Sequence, residues 1–237
     1  MTHVRAVAWD VDGTLVDSEP LHLRSLQAAC EKFGVDISDH GPAPFVGVAI
    51  ASVWRLLSTR FEEALGHHAD RGERIFRAAV TEYYLANAGE VVVLPGAREA
   101  LEYLFEHGIA LAAVSNSERA IVTANLRTLG VKARFDAIVS LDDVREAKPA
   151  PEPYTRALGI LGVPTAVAWA VEDSPSGARS ARAAGLRVLV VGADADAEGD
   201  HRMPGLAGFL PWWRSLESRD YEIPSRLRLS AASGDSA

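Results

Sequence analysis

Five short apolar runs, each followed by polar residues and then by a helical pattern, limit the folds open to this chain more than any other feature. They span residues 4–9, 109–114, 137–140, 166–171 and 186–191, and the first is apolar apart from Arg5. Runs of this length read as strands buried on both faces. Helical patterns at residues 97–106, 118–129, 153–161 and 175–184 separate them. Strands alternating with helices predict an α/β chain built on a doubly wound parallel sheet.

Residues 16–92 have a different texture. Leu23, Leu26, Cys30 and Phe33 recur at helical spacing, as do Val53, Leu56, Leu57, Phe61, Ala64 and Leu65, and then Phe76, Ala79, Val80 and Tyr83. These are the stripes of at least three amphipathic helices. Gly41-Pro42-Ala43-Pro44 breaks the first pair, and Leu94-Pro95-Gly96 marks the return to the sheet. The expected organisation is therefore a discontinuous α/β core, residues 1–15 and 93–237, with a small inserted α-helical domain at 16–92. The stretch after Gly192 loses its pattern; Trp212, Trp213 and Leu216 fit the covering face of a late helix, and residues 230–237 read as a frayed end.

Composition narrows the class. With 237 residues, 48% apolar and 24% charged, the chain can bury a core without staples, unlike disordered or disulfide-dense sequences. Lys and Arg number 24 against 32 Asp and Glu, a net charge of −8, which argues against nucleic acid as the main partner. Cys30 is alone, so it cannot form an internal disulfide or a cysteine zinc site, and it reads as a core helix residue. The first residues lack a signal-peptide pattern and no run approaches a membrane span, so no membrane partner is expected and the cytoplasm is the default location.

The chemistry gathers at the predicted strand ends. In an open parallel sheet ligands bind outside the carboxyl ends of the strands. Here strand one runs into Asp10 and Asp12, the next into Ser115 and Asn116, the third into a Lys148-Pro149 loop, and the fourth into Glu172 and Asp173. Carboxylates crowded at one sheet edge repel one another unless a cation lies among them. With oxygen donors and no His or Cys beside them, Mg2+ is the natural ion. A metal with Lys148, Ser115 and the amides of the Asp12-Gly13-Thr14 turn suits a dianionic phosphoryl group.

The stretch from Asp10 to Ser18 (DVDGTLVDS), then Ser115-Asn116, Lys148-Pro149 and Val171-Glu172-Asp173-Ser174, resembles the four ordered motifs of the haloacid dehalogenase superfamily of phosphohydrolases. The likeness covers roughly residues 4–191, and the run from Gly177 to Gly185 is similar to the family's helix after the fourth motif. The insert resembles the subgroup whose cap follows the first strand, which includes β-phosphoglucomutases, phosphoglycolate phosphatases and sugar phosphatases. The resemblance implies a Rossmann-like core, a small phosphorylated metabolite as substrate, Asp10 as the nucleophile that forms an aspartyl-phosphate, and Asp12 as general acid and base. It also implies Mg2+ held by Asp10, the backbone carbonyl of Asp12, Asp173 and Glu172, with Ser115, Asn116 and Lys148 binding the phosphoryl group and Lys148 screening Asp10.

Each motif has a plainer reading when taken alone. Asp10 and Asp12 resemble the start of a calcium loop, but Thr14-Leu15 occupies positions where that loop needs its third ligand and its glycine. Ser115-Asn116 is an ordinary helix N-cap, Lys148 a solvated loop lysine, and Glu172-Asp173 a helix start; only the ordered set lifts them. His22 reads as an exposed helix histidine, His67-His68 as a loop, and Trp212-Trp213 as covering surface. The leading expectation is a magnesium-dependent phosphatase. A β-phosphoglucomutase-type mutase is weakened because Gly47-Val48-Ala49-Ile50 stands where that family has Gly-Val-Ser-Arg. A dehalogenase would not need Asp12, and a non-catalytic binding protein would not need the full set of acids and Lys148.

Overall fold

The computed structural model describes residues 4–40, 45, 50–65, 71–130, 134–192 and 196–220. Its centre is a six-stranded parallel sheet of β1 (Ala6–Trp9), β4 (Ala110–Val114), β5 (Ala137–Val139), β6 (Ala168–Glu172), β7 (Arg187–Val191) and β8 (His201–Met203), in the spatial order β5-β4-β1-β6-β7-β8. Helices α4 (Ala97–Glu106), α5 (Arg119–Leu129), α6 (Glu152–Leu161), α7 (Pro175–Ala183) and α8 (Phe209–Asp220) follow the strands. The doubly wound parallel sheet predicted from the apolar runs is the fold observed.

The two sheet faces differ in side-chain size. Ala6, Ala8, Ala112, Ala168 and Ala170 point to the face covered by α6 and α7, where Tyr154, Leu158, Ala178 and Ala181 pack on them. Val7, Trp9, Leu111, Trp169 and Val171 point to the other face, against α4, α5 and α8. Small residues on one side let helices approach closely, while bulky ones on the other fill the wider gap. Trp9 lies 5.2 Å from Phe209, which stacks at 5.5 Å on the buried Trp213. The late helix therefore closes the core, and Trp213 is more than covering surface.

Helices α1 (Glu19–Lys32), α2 (Ile50–Leu65) and α3 (Gly72–Asn87) pack round a cluster of their own: Leu26, Cys30, Val53, Leu57, Phe61, Phe76 and Val80 are buried there. The helical spacing therefore located three helices, although Leu56 is 47% exposed and does not belong to the buried stripe. A two-residue antiparallel ribbon, β2 (Val16–Asp17) with β3 (Val92–Val93), ties together the chain entering and leaving this helical segment. Gly41 to Pro44, Gly47-Val48-Ala49, His67-His68 and residues 230–237 lie outside the described residues. Among the described residues, no helix is long and apolar enough to cross a membrane.

Candidate active site

The chain passes from β1 to β4 and β5 on one side and then crosses to β6, β7 and β8 on the other. The crevice thus opens at the carboxyl end of β1, the usual place for a ligand in such a sheet. Asp10 follows β1, Ser115 follows β4, and Glu172 ends β6. The Asp10 N–H donates to Val171 O at 2.9 Å and the Ser115 N–H to Val139 O at 3.0 Å, so the ladder itself fixes both residues. A pocket of about 640 Å³ lies above them, lined by Asp10, Asp12, Ser115, Asn116, Lys148 and Asp173 from the sheet side.

The turn after Asp12 is set by Gly13, whose φ of 85° is a left-handed conformation that other residues rarely adopt. A Cβ there would also run into the Asp173 carboxylate. The Gly13 N–H donates to Val16 O at 2.8 Å. It is therefore committed to the turn, and the expectation that all three amides of Asp12-Gly13-Thr14 cradle a phosphoryl group is corrected for this one.

Lys148 is buried and its ammonium is saturated. Nζ donates to Asp10 Oδ1 at 2.7 Å, Val114 O at 2.9 Å and Glu172 Oε1 at 2.6 Å. Burial disfavours the charge, but the flanking Asp10 and Glu172 carboxylates raise its pKa above the ordinary lysine value. Asn116 sets the lysine's backbone: its Nδ2 donates to Lys148 O at 3.2 Å and its Oδ1 accepts from Lys148 N at 2.9 Å. The Asn116 side chain is thus spent on orienting Lys148. Glu172, with no exposed surface, also accepts from Tyr154 Oη at 2.5 Å.

Asp12 faces a different set of partners. Its Oδ1 accepts from Ser18 at 2.8 Å and Asn125 at 2.8 Å and lies 3.4 Å from His22 Nε2; its Oδ2 accepts from Ser115 at 2.9 Å and Ser117 at 2.8 Å. Burial alone would raise its pKa, yet the bonds from His22, Ser18 and Ser117 and the His22 charge outweigh it and hold the carboxyl well below its usual range. Burial likewise opposes charge on His22, and the bond to Asp12 and its charge reverse the effect, leaving the imidazole pKa raised. His22 is not an exposed helix histidine, as its spacing suggested. Its side chain is 26% exposed, bonded to Asp12 and 4.6 Å from the Tyr84 ring, and Tyr84 Oη in turn donates to Asn125 at 2.9 Å.

The structure brings Asp10, Glu172 and Asp173 together, with one carboxylate oxygen from each lying within 4.8 Å of the others. Asp10 Oδ2 is buried without a partner. Burial, then the charge of Glu172, pushes the Asp173 carboxyl up to about 7, with Lys148 opposing. Three acids against one lysine leave a deficit of positive charge in a dry place, and all the donors are hard oxygens. A Mg2+ ion fits that description. The Asp12 side chain is not among the three carboxylates of this cluster.

Sequence reasoning missed the Thr14 hydroxyl, Ser117, Asn125 and Tyr154. Thr14 Oγ1 donates to Asp173 at 3.3 Å, and the other three bond to Asp12 or Glu172. Gly177 is a further such residue: a Cβ there would overlap the fixed Glu172 carboxylate. Gly177→Ala is expected to cost roughly 1–3 kcal/mol by overpacking, read as a lower urea midpoint with unchanged slope.

A model of the haloacid dehalogenase-like hydrolases matches residues 7–191, which include every one of these side chains. The chain belongs to the haloacid dehalogenase-like hydrolase family. The chloroplastic Suppressor of Quenching 1 protein of Arabidopsis thaliana is 34% identical over 190 residues, covering 79% of this chain but 18% of that much longer protein. The phosphoglycolate phosphatase of Chromobacterium violaceum is 33% identical over 195 residues, 81% of this chain and 86% of that one. Among solved structures, CbbY from Rhodobacter sphaeroides in complex with phosphate aligns with a TM-score of 0.71 at 28% identity, covering 86% of this chain and 95% of that one. A mutant of the same protein was solved with xylulose-(1,5)bisphosphate. This haloacid dehalogenase-like hydrolase is an enzyme of the phosphoric monoester hydrolase class.

Proposed function

We propose that the chain is a Mg2+-dependent phosphatase that hydrolyses a small phosphate monoester, a sugar phosphate or a phosphoglycolate-like ester, through an aspartyl-phosphate on Asp10. The observation that carries this reading is the buried, unpartnered Oδ2 of Asp10 among Glu172 and Asp173, with its other oxygen held by Lys148. Held by Asp10, Asp173, the Asp12 carbonyl and, directly or through water, Glu172, the ion would neutralise charge on the phosphoryl oxygens. Lys148 opposes the burial that favours protonation of Asp10, and the positive charge of the ion would add to that pull towards the nucleophilic carboxylate. For Lys148 to touch the phosphoryl group it must exchange one of its three partners. Ser115, bonded to Asp12 at 2.9 Å, is placed to turn its hydroxyl to a phosphoryl oxygen.

In the first step Asp10 attacks phosphorus, the ester P–O bond breaks, and Asp12 delivers a proton to the departing alcohol oxygen. In the second, water attacks the aspartyl-phosphate, Asp12 accepts its proton, and inorganic phosphate leaves. The depressed pKa keeps Asp12 in the ionised form that the second step needs while lowering its basicity, and for the first step His22, with its raised pKa, can pass Asp12 a proton. Residues 16–92 act as the cap that excludes water and selects the alcohol.

The test is phosphate release from a panel of sugar phosphates, phosphoglycolate and nucleotides, with Mg2+ or with chelator, beside Asp12→Asn. Release that needs Mg2+ and falls on the order of 10²-fold or more in Asp12→Asn is expected. Undiminished turnover in chelator, or in that variant, overturns the scheme. Isomerisation of a sugar phosphate without net release replaces it with a mutase.

A further inference from the structure

The helical segment lines the pocket with apolar Leu26, Phe45, Ile50, Val53 and Val80, joined by Ile121 of α5, and with polar Glu19, His22, Arg77 and Thr81. Beyond Lys148 and His22, which are engaged with Asp10, Glu172 and Asp12, the cation among the described lining residues is Arg77 of α3.

Arg77 is held across the pocket by the core. Glu118, just before α5, accepts from Arg77 Nε at 2.9 Å through Oε1, which also lies 2.9 Å from Nη2 as an ion pair, and its Oε2 accepts from Thr81 Oγ1 at 2.6 Å. The pair is largely buried, with side chains 28% and 21% exposed, and Arg77 lies a further 3.9 Å from Glu73. The guanidinium's positive charge is thereby matched by the Glu118 carboxylate, at which its Nε–H is directed. A second anionic group on a substrate reaching this wall would have to break that pair and leave Glu118 facing it, a like-charge contact that selects against such ligands.

We infer that the pocket selects a phosphate monoester whose alcohol portion carries no second negative charge and presents an apolar face, with the Arg77–Glu118–Thr81 constellation as the element that rejects bisphosphates and carboxylated esters. The inference rests on the phosphatase reading above and narrows its substrate class to the sugar-phosphate side, dropping the phosphoglycolate-like ester. Glu118 acts on the ratio between substrates, since nothing places it on the reacting atoms.

Matched pairs test it: 2-hydroxyethyl phosphate against 2-phosphoglycolate, and fructose 6-phosphate against fructose 1,6-bisphosphate, with benzyl phosphate as an apolar probe. The expected kcat/KM favours the singly phosphorylated neutral member of each pair roughly 10- to 100-fold, with benzyl phosphate accepted. Glu118→Gln, which keeps the hydrogen bonds and removes the charge, is expected to shift each ratio about tenfold towards the charged member. Adding Arg77→Gln should cancel that shift. Preference of the parent for phosphoglycolate or the bisphosphate, or ratios that do not move in Glu118→Gln, overturns the inference. Failure of every ester to release phosphate with Mg2+ present overturns the phosphatase reading itself and is thus told apart from failure of the selectivity claim.

Discussion

Asp10→Asn is expected to lower kcat by on the order of 10³-fold or more while leaving the protein folded, because an amide cannot form the acyl-phosphate bond that splits hydrolysis into two steps. The substitution keeps shape, and Lys148 retains Val114 O and Glu172 as partners. Its effect on stability runs the other way. Burial first, then the charges of Glu172, Asp173 and Asp12, against the opposing pull of Lys148, raise the Asp10 pKa well above the ordinary value. A carboxyl whose folded-state pKa is raised favours its neutral form in the native state, so its stabilising contribution is lost as pH rises through that pKa. The neutral amide escapes this penalty. In chelator at neutral pH the variant should therefore unfold at a urea concentration no lower than the parent's. Retained turnover would remove Asp10 from the nucleophile's role, and lost cooperativity would recast it as a structural residue.

The legible parts of the sequence were those where one local pattern carries the whole signal. β1, β4, β6 and β7 are buried on nearly all positions, so each is a continuous apolar run flanked by helices. β8 escaped because it is an edge strand with His201 and Arg202 exposed and only Met203 buried, which leaves no run to read. The β2–β3 ribbon is two residues long on each side and rests on pairing between distant segments. Within the site, strand-end residues were readable because topology alone delivers them to one edge. Their supports were not. Asn125 and Tyr154 lie on helices among core-facing residues, where a polar group aimed at a carboxylate looks like any other position of the stripe. His22 reaches Asp12 across a turn, and helical periodicity carries no information about that contact. The commitment of the Gly13 amide to Val16 likewise depends on the turn's geometry, which its composition does not specify.

Lys148→Met carries the largest expected effect on stability. The ammonium is the cation between two buried carboxylates, with a side chain 3% exposed against 9% for Asp10 and 0% for Glu172. Methionine fills similar volume but leaves Asp10 and Glu172 facing each other uncompensated and Val114 O without this donor. Breaking a buried pair by removing one partner typically costs about 3–5 kcal/mol, much of it the burden of the stranded charge. A loss of this size is expected in the metal-free protein, with kcat falling as well because the one charge that opposes protonation of Asp10 is gone. The origin of the loss is testable by a double-mutant cycle with Glu172→Gln. If stranded charge is the cause, adding Glu172→Gln to Lys148→Met recovers part of the stability, so the two substitutions together cost less than their sum. Mg2+ should recover more, since it binds the native acids and stabilises by about 2.7 kcal/mol at a hundredfold excess over its dissociation constant. Strict additivity, with no recovery by the metal, would mean that packing rather than charge makes Lys148 indispensable and would remove the electrostatic basis for placing the ion beside it.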